Sequence, residues 1–298
     1  MRVFVTGATG LIGGEVCRLL VAAGHEVVAL SRSSRPRLPA LARAVQGNPV
    51  ASGAWQDELA ACDACIHLAG EPVAAGRWTP ERKRSIRASR VESARRVAEV
   101  MSSRGPRVLV SGSGVGYYGA RKDEVLDEAA APGSDFLASV CREWEETALS
   151  AAGRARVVVV RTGLVLARGG GALPRLLLPF RFYLGGPVGT GEFWQSWIHL
   201  ADQAGLIAWA LENSEVAGPL NATAPEPARN RDLARAIGRA LRRPSALSVP
   251  VWGLRLALGE LSSVVATGQR VIPQKALMLG YRFRFPALEP ALADLLCA

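Results

Sequence analysis

The sequence predicts an α/β protein built on a doubly wound parallel sheet, with a smaller C-terminal lobe. Two observations carry that prediction. Strand-like and helix-like segments alternate through the first 165 residues, as strand–helix–strand crossovers require. Gly7, Gly10 and Gly13 fall where the first strand-like run gives way to the first helical one.

The elements follow in order. "RVFVTG" is a β-branched strand ending in glycine, and "LIGGEVCRLLVAAG" is a helix closed by Gly24. "HEVVALSR" is the second strand, and an arginine- and proline-rich loop, "SSRPRLPA", comes after it. "DACIHLAG" is a buried strand ending in a small-residue turn. "TPERKRSIRASRVESARRVAEVMSSRG" is a long helix with a Thr-Pro start and Gly105 at its end. "PRVLVSGS", "SDFLASVCREWEETALSAAG" and "ARVVVVRTG" continue as strand, helix and strand. Beyond residue 165 the rhythm breaks into glycine, proline and aromatics, until "IHLADQAGLIAWALEN" returns to helix and "GPLNATAP" to strand. The expected layout is a core of residues 1–165 rejoined by about 197–223, with 166–196 and 224–298 forming a substrate lobe.

At 298 residues and 49% hydrophobic, the chain can bury a sizeable core. "MRVFVTGATG" does not read as a signal peptide, and the most apolar stretches are too short or too charged to span a bilayer. The expectation is a soluble protein of cytoplasmic type with no membrane partner. Net charge is +10, and all but Lys83, Lys122 and Lys275 of the 36 basic residues are arginine. They are scattered along the chain with no recognition motif, so nucleic acid is not expected. Cys17, Cys62, Cys65, Cys141 and Cys297 are an odd, dispersed set, which suits a reducing compartment. Cys62-x-x-Cys65 lacks the second ligand pair of a zinc site, so no metal is expected.

The glycine spacing has a physical reading. Gly7 takes a tight turn, Gly10 lets the backbone approach a pyrophosphate, and Gly13 lets the helix pack close to the sheet. The phosphates would rest on the helix N-terminus, where free N–H groups favour anions. The second strand ends Ser31-Arg32, without the acid that usually holds adenosine ribose hydroxyls. A hydroxyl and a guanidinium suit a 2′-phosphate, which points to NADP(H).

"TGATGLIG", "HLAG", "RTGLVL" and "WIHLAD" together resemble extended short-chain dehydrogenases/reductases of the NAD-dependent epimerase/dehydratase group. The long runs "LAGEPVAAGRWTPERKRSIRASRVESAR", "SGSGVGYYG" and "GQRVIPQKALMLGYRFRFP" resemble an atypical, YfcH-like branch with a C-terminal domain of unknown function. The resemblance implies a Rossmann-type domain holding NADP(H), with the C-terminal lobe closing a cleft for a small-molecule substrate. It implies that Gly7, Thr9, Gly10, Leu11, Ile12 and Gly13 line the pyrophosphate and that Ser31 and Arg32 hold the 2′-phosphate end. Leu68 and Ala69 would pass under the adenosine and ribose. Where relatives carry asparagine in an "N-V-x-G-T" run, this chain has Arg90, which with Ser85 is expected to reach the cofactor. Arg161 ends a buried strand at the cleft edge, where a charge needs a partner. A homodimer through the long helices is expected only by analogy.

The resemblance also implies a catalytic tyrosine with a lysine one turn later, because an adjacent cation brings a phenol's pKa toward neutrality. The helix that should carry the pair has Phe136 and Val140 in those places. Tyr118-x-x-x-Lys122 spells the motif but lies at a strand end, so it is a decoy. Ser113, Tyr117, Tyr118 and His199 remain as catalytic candidates, and Cys141 reads as inert core. Two functions stay open: an NADP(H)-binding oxidoreductase or epimerase-like enzyme for a small polar substrate, or a non-catalytic NADPH-binding sensor or scaffold.

Overall fold

The computed structural model describes residues 1–39 and 41–297. The strands are β1 (Arg2–Thr6), β2 (Glu26–Ser31), β3 (Arg43–Gln46), β4 (Ala64–His67), β5 (Val108–Gly114), β6 (Val125–Leu126), β7 (Arg156–Thr162), β8 (Leu164–Ala167), β9 (Gly170–Gly171), β10 (Trp194–Gln195), β11 (Trp197–His199), β12 (Gly218–Ala222), β13 (Ala228–Arg229) and β14 (Arg270–Val271). The helices that matter for the site are α1 (Leu11–Ala22), α2 (Trp55–Ala60), α3 (Pro80–Ser103), α4 (Phe136–Leu149), α5 (Leu173–Arg181), α6 (Leu200–Glu212), α7 (Asn230–Leu241) and α8 (Val251–Leu258).

Seven strands form one sheet in the order β12-β7-β5-β4-β1-β2-β3, every pairing parallel. Each central strand is buried on both faces, so its middle is mostly apolar, its polar residues gather toward the carboxyl end, and its side chains divide by alternation. Val3, Val5, Val27, Ile66, Val110 and Val158 face the layer of α1 and α6, which lie side by side. Phe4, Val28, Cys65, Leu109, Val157 and Val159 face the layer of α2, α3 and α4. A separate cluster around Leu173, Phe180, Trp197, Leu233 and Leu292 supports the region of α5 and α7.

Strand order reverses between β1 and β4. Ligands in open α/β sheets bind outside the carboxyl ends of the strands at such a switch point. Gly7 follows β1 and Leu68 follows β4, so the predicted cofactor residues converge there. The sequence reading missed β3 and α2, which follow the arginine-rich loop. β3 is an edge strand with exposed or half-exposed residues, so it lacks the apolar alternation that marks a buried one.

Candidate functional site

The site begins with the turn after β1. Gly7 has φ +72°, and a β-carbon there would sit 2.7 Å from the backbone of Leu68. A β-carbon on Gly13 would stand 2.2 Å from the Gly7 carbonyl oxygen, so only glycine lets α1 start this close to the sheet. Gly10 caps α1 without a side-chain hydrogen bond, and the first turn carries no acidic residue. The leading amides of α1 are left for an anion.

A polar core lies directly beneath this turn. Thr6 and His67 are register partners on β1 and β4, and both are buried. His67 Nδ1 lies 2.8 Å from Thr6 Oγ1, and Nε2 lies 3.1 Å from Ser93 Oγ. Ser93 donates its hydroxyl to the Ser89 carbonyl at 2.6 Å, so it accepts from His67 Nε2–H. Thr6 Oγ1 accepts the amides of Leu68 and Ala69 and donates to Nδ1. The ring is therefore neutral, with its proton on Nε2, and burial pushes its pKa down to about 4. His67 fixes the Leu68–Ala69 turn from below. Sequence reasoning left it unremarked inside "CIHLAG".

Arg90 reaches the same turn from α3. Its guanidinium lies near Gly70 and Trp144, donates to the Ile86 carbonyl at 3.0 Å, and forms no ion pair among the described residues. Burial pushes its pKa down. Glu71 acts on it only from beyond ion-pair contact, and a half-buried cation without a contacting carboxylate is a costly arrangement that a bound anion relieves. Ser85, by contrast, is exposed on α3 and does not share the half-buried setting of Arg90. Ser31 is buried at the end of β2 and accepts the Ser33 amide. Arg32 is 75% exposed, and its nearest carboxylate, Glu71, is 3.7 Å away.

The catalytic candidates sort sharply. Ser113 donates its hydroxyl to Glu145 Oε1 at 2.6 Å. Arg161, its register partner on β7, grips both Glu145 oxygens at 2.9 and 2.7 Å. Arg161 also donates to Tyr118 Oη and to the Glu128 carbonyl. Tyr118 is fully buried and donates to Asn221 Oδ1 at 2.7 Å, and burial pushes its pKa up to about 12.

Ser113 and Tyr118, expected among the catalytic groups, and Arg161, expected at the cofactor, meet here. Their polar atoms are committed to one buried network. Arg161 finds the partner its burial demands in Glu145, on the inward face of α4. The Tyr118–Lys122 spelling is a decoy, because Tyr118 closes a 3-10 turn (Val115–Tyr118) and is sealed in the core.

Tyr117 is the exception. It is half-buried, its ring stacks 3.5 Å from the Arg161 guanidinium, and its hydroxyl has no hydrogen-bond partner among the described residues.

His199 stands apart from this cluster. Its Nδ1 caps α6 by accepting the Ala201 amide, and its ring packs 4.0 Å from Phe285. Burial lowers its pKa, with Asp294, 3.3 Å from Nε2, opposing the shift. His199, one of the catalytic candidates, is a buried cap in this fold. Asp202 accepts the amides of Arg284 and Phe285.

Phe136 opens α4, capped by Asp135, and Val140 is buried one turn on. Next to Phe136 is a cavity of about 220 Å³ walled by Trp78, Leu137 and Val264. Cys17, Cys62, Cys65 and Cys141 are free and buried, while the side chain of Cys297 lies outside the described residues. Burial pushes Cys62 and Cys141 up to about 11 and Cys17 up to about 12. With Cys297 replaced by serine, the native protein should give no reaction with a thiol reagent at pH 8 until denaturant is added. Rapid native labelling would overturn the inert reading. Among the described residues there is no cluster fit for a metal, and no helix is long and apolar enough to cross a membrane.

A glycine-cradled switch point, backed by a half-buried arginine, defines a dinucleotide-binding α/β protein of the extended reductase type. The chain belongs to the NAD dependent epimerase/dehydratase family, which it matches over residues 3–223, and residues 249–295 match a domain of unknown function, DUF1731. It is 40% identical over 298 residues to a chloroplastic epimerase family protein SDR39U1 homolog of Arabidopsis thaliana, covering 98% of this chain and 86% of that one. It is 37% identical over 302 residues to epimerase family protein YfhF of Bacillus subtilis, covering 99% and 98%. Among solved structures, human epimerase family protein SDR39U1 (isoform 2) with NADPH superposes with TM-score 0.89 at 36% identity, covering 99% of both chains. A nucleoside-diphosphate sugar epimerase from Corynebacterium glutamicum gives 0.81 at 32%, covering 99% of this chain and 58% of that one.

Proposed function

We propose that the protein is an NADP(H)-dependent oxidoreductase or epimerase-like enzyme for a small polar substrate. The observation that carries this reading is Arg90, a half-buried cation with no carboxylate in ion-pair contact among the described residues, beside a glycine turn whose helix start has no side-chain cap. The pyrophosphate would rest on Gly7, Thr9, Gly10, Leu11, Ile12 and Gly13, with Leu68 and Ala69 beneath the adenosine ribose. Ser31 and Arg32 would hold the 2′-phosphate, and the human relative solved with NADPH supports that choice. The cofactor supplies hydride chemistry when bound. Of the four catalytic candidates, Tyr117 alone keeps a protic group without a hydrogen-bond partner among the described residues, and the Arg161 guanidinium lies 3.5 Å from its ring.

Titration calorimetry tests the cofactor. NADPH should bind roughly tenfold or more tightly than NADH, since a charge-assisted contact contributes about 1.5–3 kcal/mol. Arg32→Glu should abolish that preference while the pyrophosphate contacts persist. Failure of both nucleotides to bind would sink the reading. NADPH oxidation across a carbonyl panel, compared with Tyr117→Phe, then separates an enzyme from a sensor.

A further inference from the structure

The cavity beside Phe136 holds a feature that the cofactor reading does not use. Trp78 and Phe136 meet edge to face at 5.2 Å and form one wall. The Trp78 indole is fixed by a 3.0 Å hydrogen bond to the Val73 carbonyl. Lys83, in the first turn of α3, projects its ammonium 5.1 Å from the Phe136 ring and 6.0 Å from the Trp78 ring. Its counter-charge is Glu260, 2.5 Å away, which lines the cavity from the segment after α8. Lys83 is held beside the cavity by Glu260 rather than forming its wall, and the other polar groups of the wall are committed locally. Asp135 caps α4, Ser263 and Thr267 donate to carbonyls one turn back, and Gln269 donates to the Val115 carbonyl.

Lys83 and Glu260 are both partly exposed, at 29% and 49%, so their bond is open to competition from a dissolved anion. The floor includes Gly116 and Gly119, where added β-carbons would press on Leu137 and Asp135. The volume, about 220 Å³, is below the roughly 300–1,000 Å³ of drug-sized pockets.

We propose that this cavity binds a small aromatic carboxylate, its ring against Trp78 and Phe136 and its carboxylate replacing Glu260 on Lys83. This names the substrate class for the enzyme proposed above and rests on that reading. The aromatic wall supplies contact area, and the lysine supplies a charge-assisted hydrogen bond. Glu260 is then a resident competitor that keeps the cation paired while the cavity is empty.

The test is calorimetric binding of benzoate, benzamide and acetate to the intact protein, with NADPH titrated separately into each variant. Benzoate should bind roughly tenfold more tightly than either comparator. Lys83→Met should lose that preference, whereas Glu260→Gln should bind benzoate several-fold more tightly because the competing carboxylate is gone. A bridge that merely braces the lobe predicts equal weakening in both variants, and that result overturns the proposal, as does equal affinity for benzoate and benzamide. NADPH affinity should be unchanged in Lys83→Met. Loss of NADPH binding by the unmodified protein would instead count against the cofactor reading, and the benzoate data would still be read on their own.

Discussion

Glu145→Ala should lower the unfolding free energy by about 3–5 kcal/mol, a large share of a domain's total, because it leaves a buried arginine without its counter-charge. Arg161 is 2% exposed and spends its Nε and Nη2 on Glu145. Ser113 would also lose the acceptor of its hydroxyl. Glu145→Leu combined with Arg161→Met should be far less damaging than Glu145→Ala alone, since no charge is then stranded. Denaturant unfolding of the three proteins measures this directly. A single-variant loss under about 1 kcal/mol would mean that water reaches the pair and that the network is not sealed.

Acid should weaken the fold through His67. The free imidazole titrates near 6.5, and in the folded protein His67 titrates at about 4. On acidification the unfolded chain takes the proton first. The neutral ring's contribution is thus full above about pH 6.5, falls as pH drops, and is exhausted below about pH 4. The span corresponds to about 3 kcal/mol. The structural reason is local. A second ring proton would appear on Nδ1, where Thr6 already donates, and Thr6 would have to turn away while still holding the Leu68 and Ala69 amides. Other groups titrate in the same range. His199 is lowered as well, and Glu128, raised by burial, opposes both. The quantity to read is the difference in unfolding free energy between the native protein and His67→Gln at pH 4.5 and pH 7.5. It should narrow at the lower pH, and a constant difference would show that His67 does not titrate out of its pocket.

These two residues show where sequence reasoning reached and where it stopped. The parallel sheet was legible because β1 and β7 are β-branched runs buried on both faces and β5 opens on the apolar run Val108–Val110. The glycine turn was legible because steric need leaves few substitutes. For Ser113 and Tyr118 the sequence shows a polar group near the end of a strand, not which way its hydroxyl turns. Glu145 left a faint signal: it falls on the buried α4 face with Ala138, Cys141 and Ala148, spaced three and four apart, where a charge must have a partner. His67 was hidden in an apolar run, and its partner Thr6 is 61 positions away. Lys83 and Glu260 are 177 positions apart, and only the folded chain brings them together.

The last strand of the sheet has a bearing on synthesis. β12 pairs with β7, yet more than fifty residues of other structure lie between them in the chain. Until Ala222 has left the ribosome, roughly 10–40 s into translation at ~5–20 residues per second, β7 is an unpaired edge in a nascent chain. That edge is the valine run Val157–Val160, buried in the finished protein. Such an edge invites pairing with other chains. Fragments ending before Gly218 should therefore precipitate on expression, while those ending after α7 should stay in the supernatant.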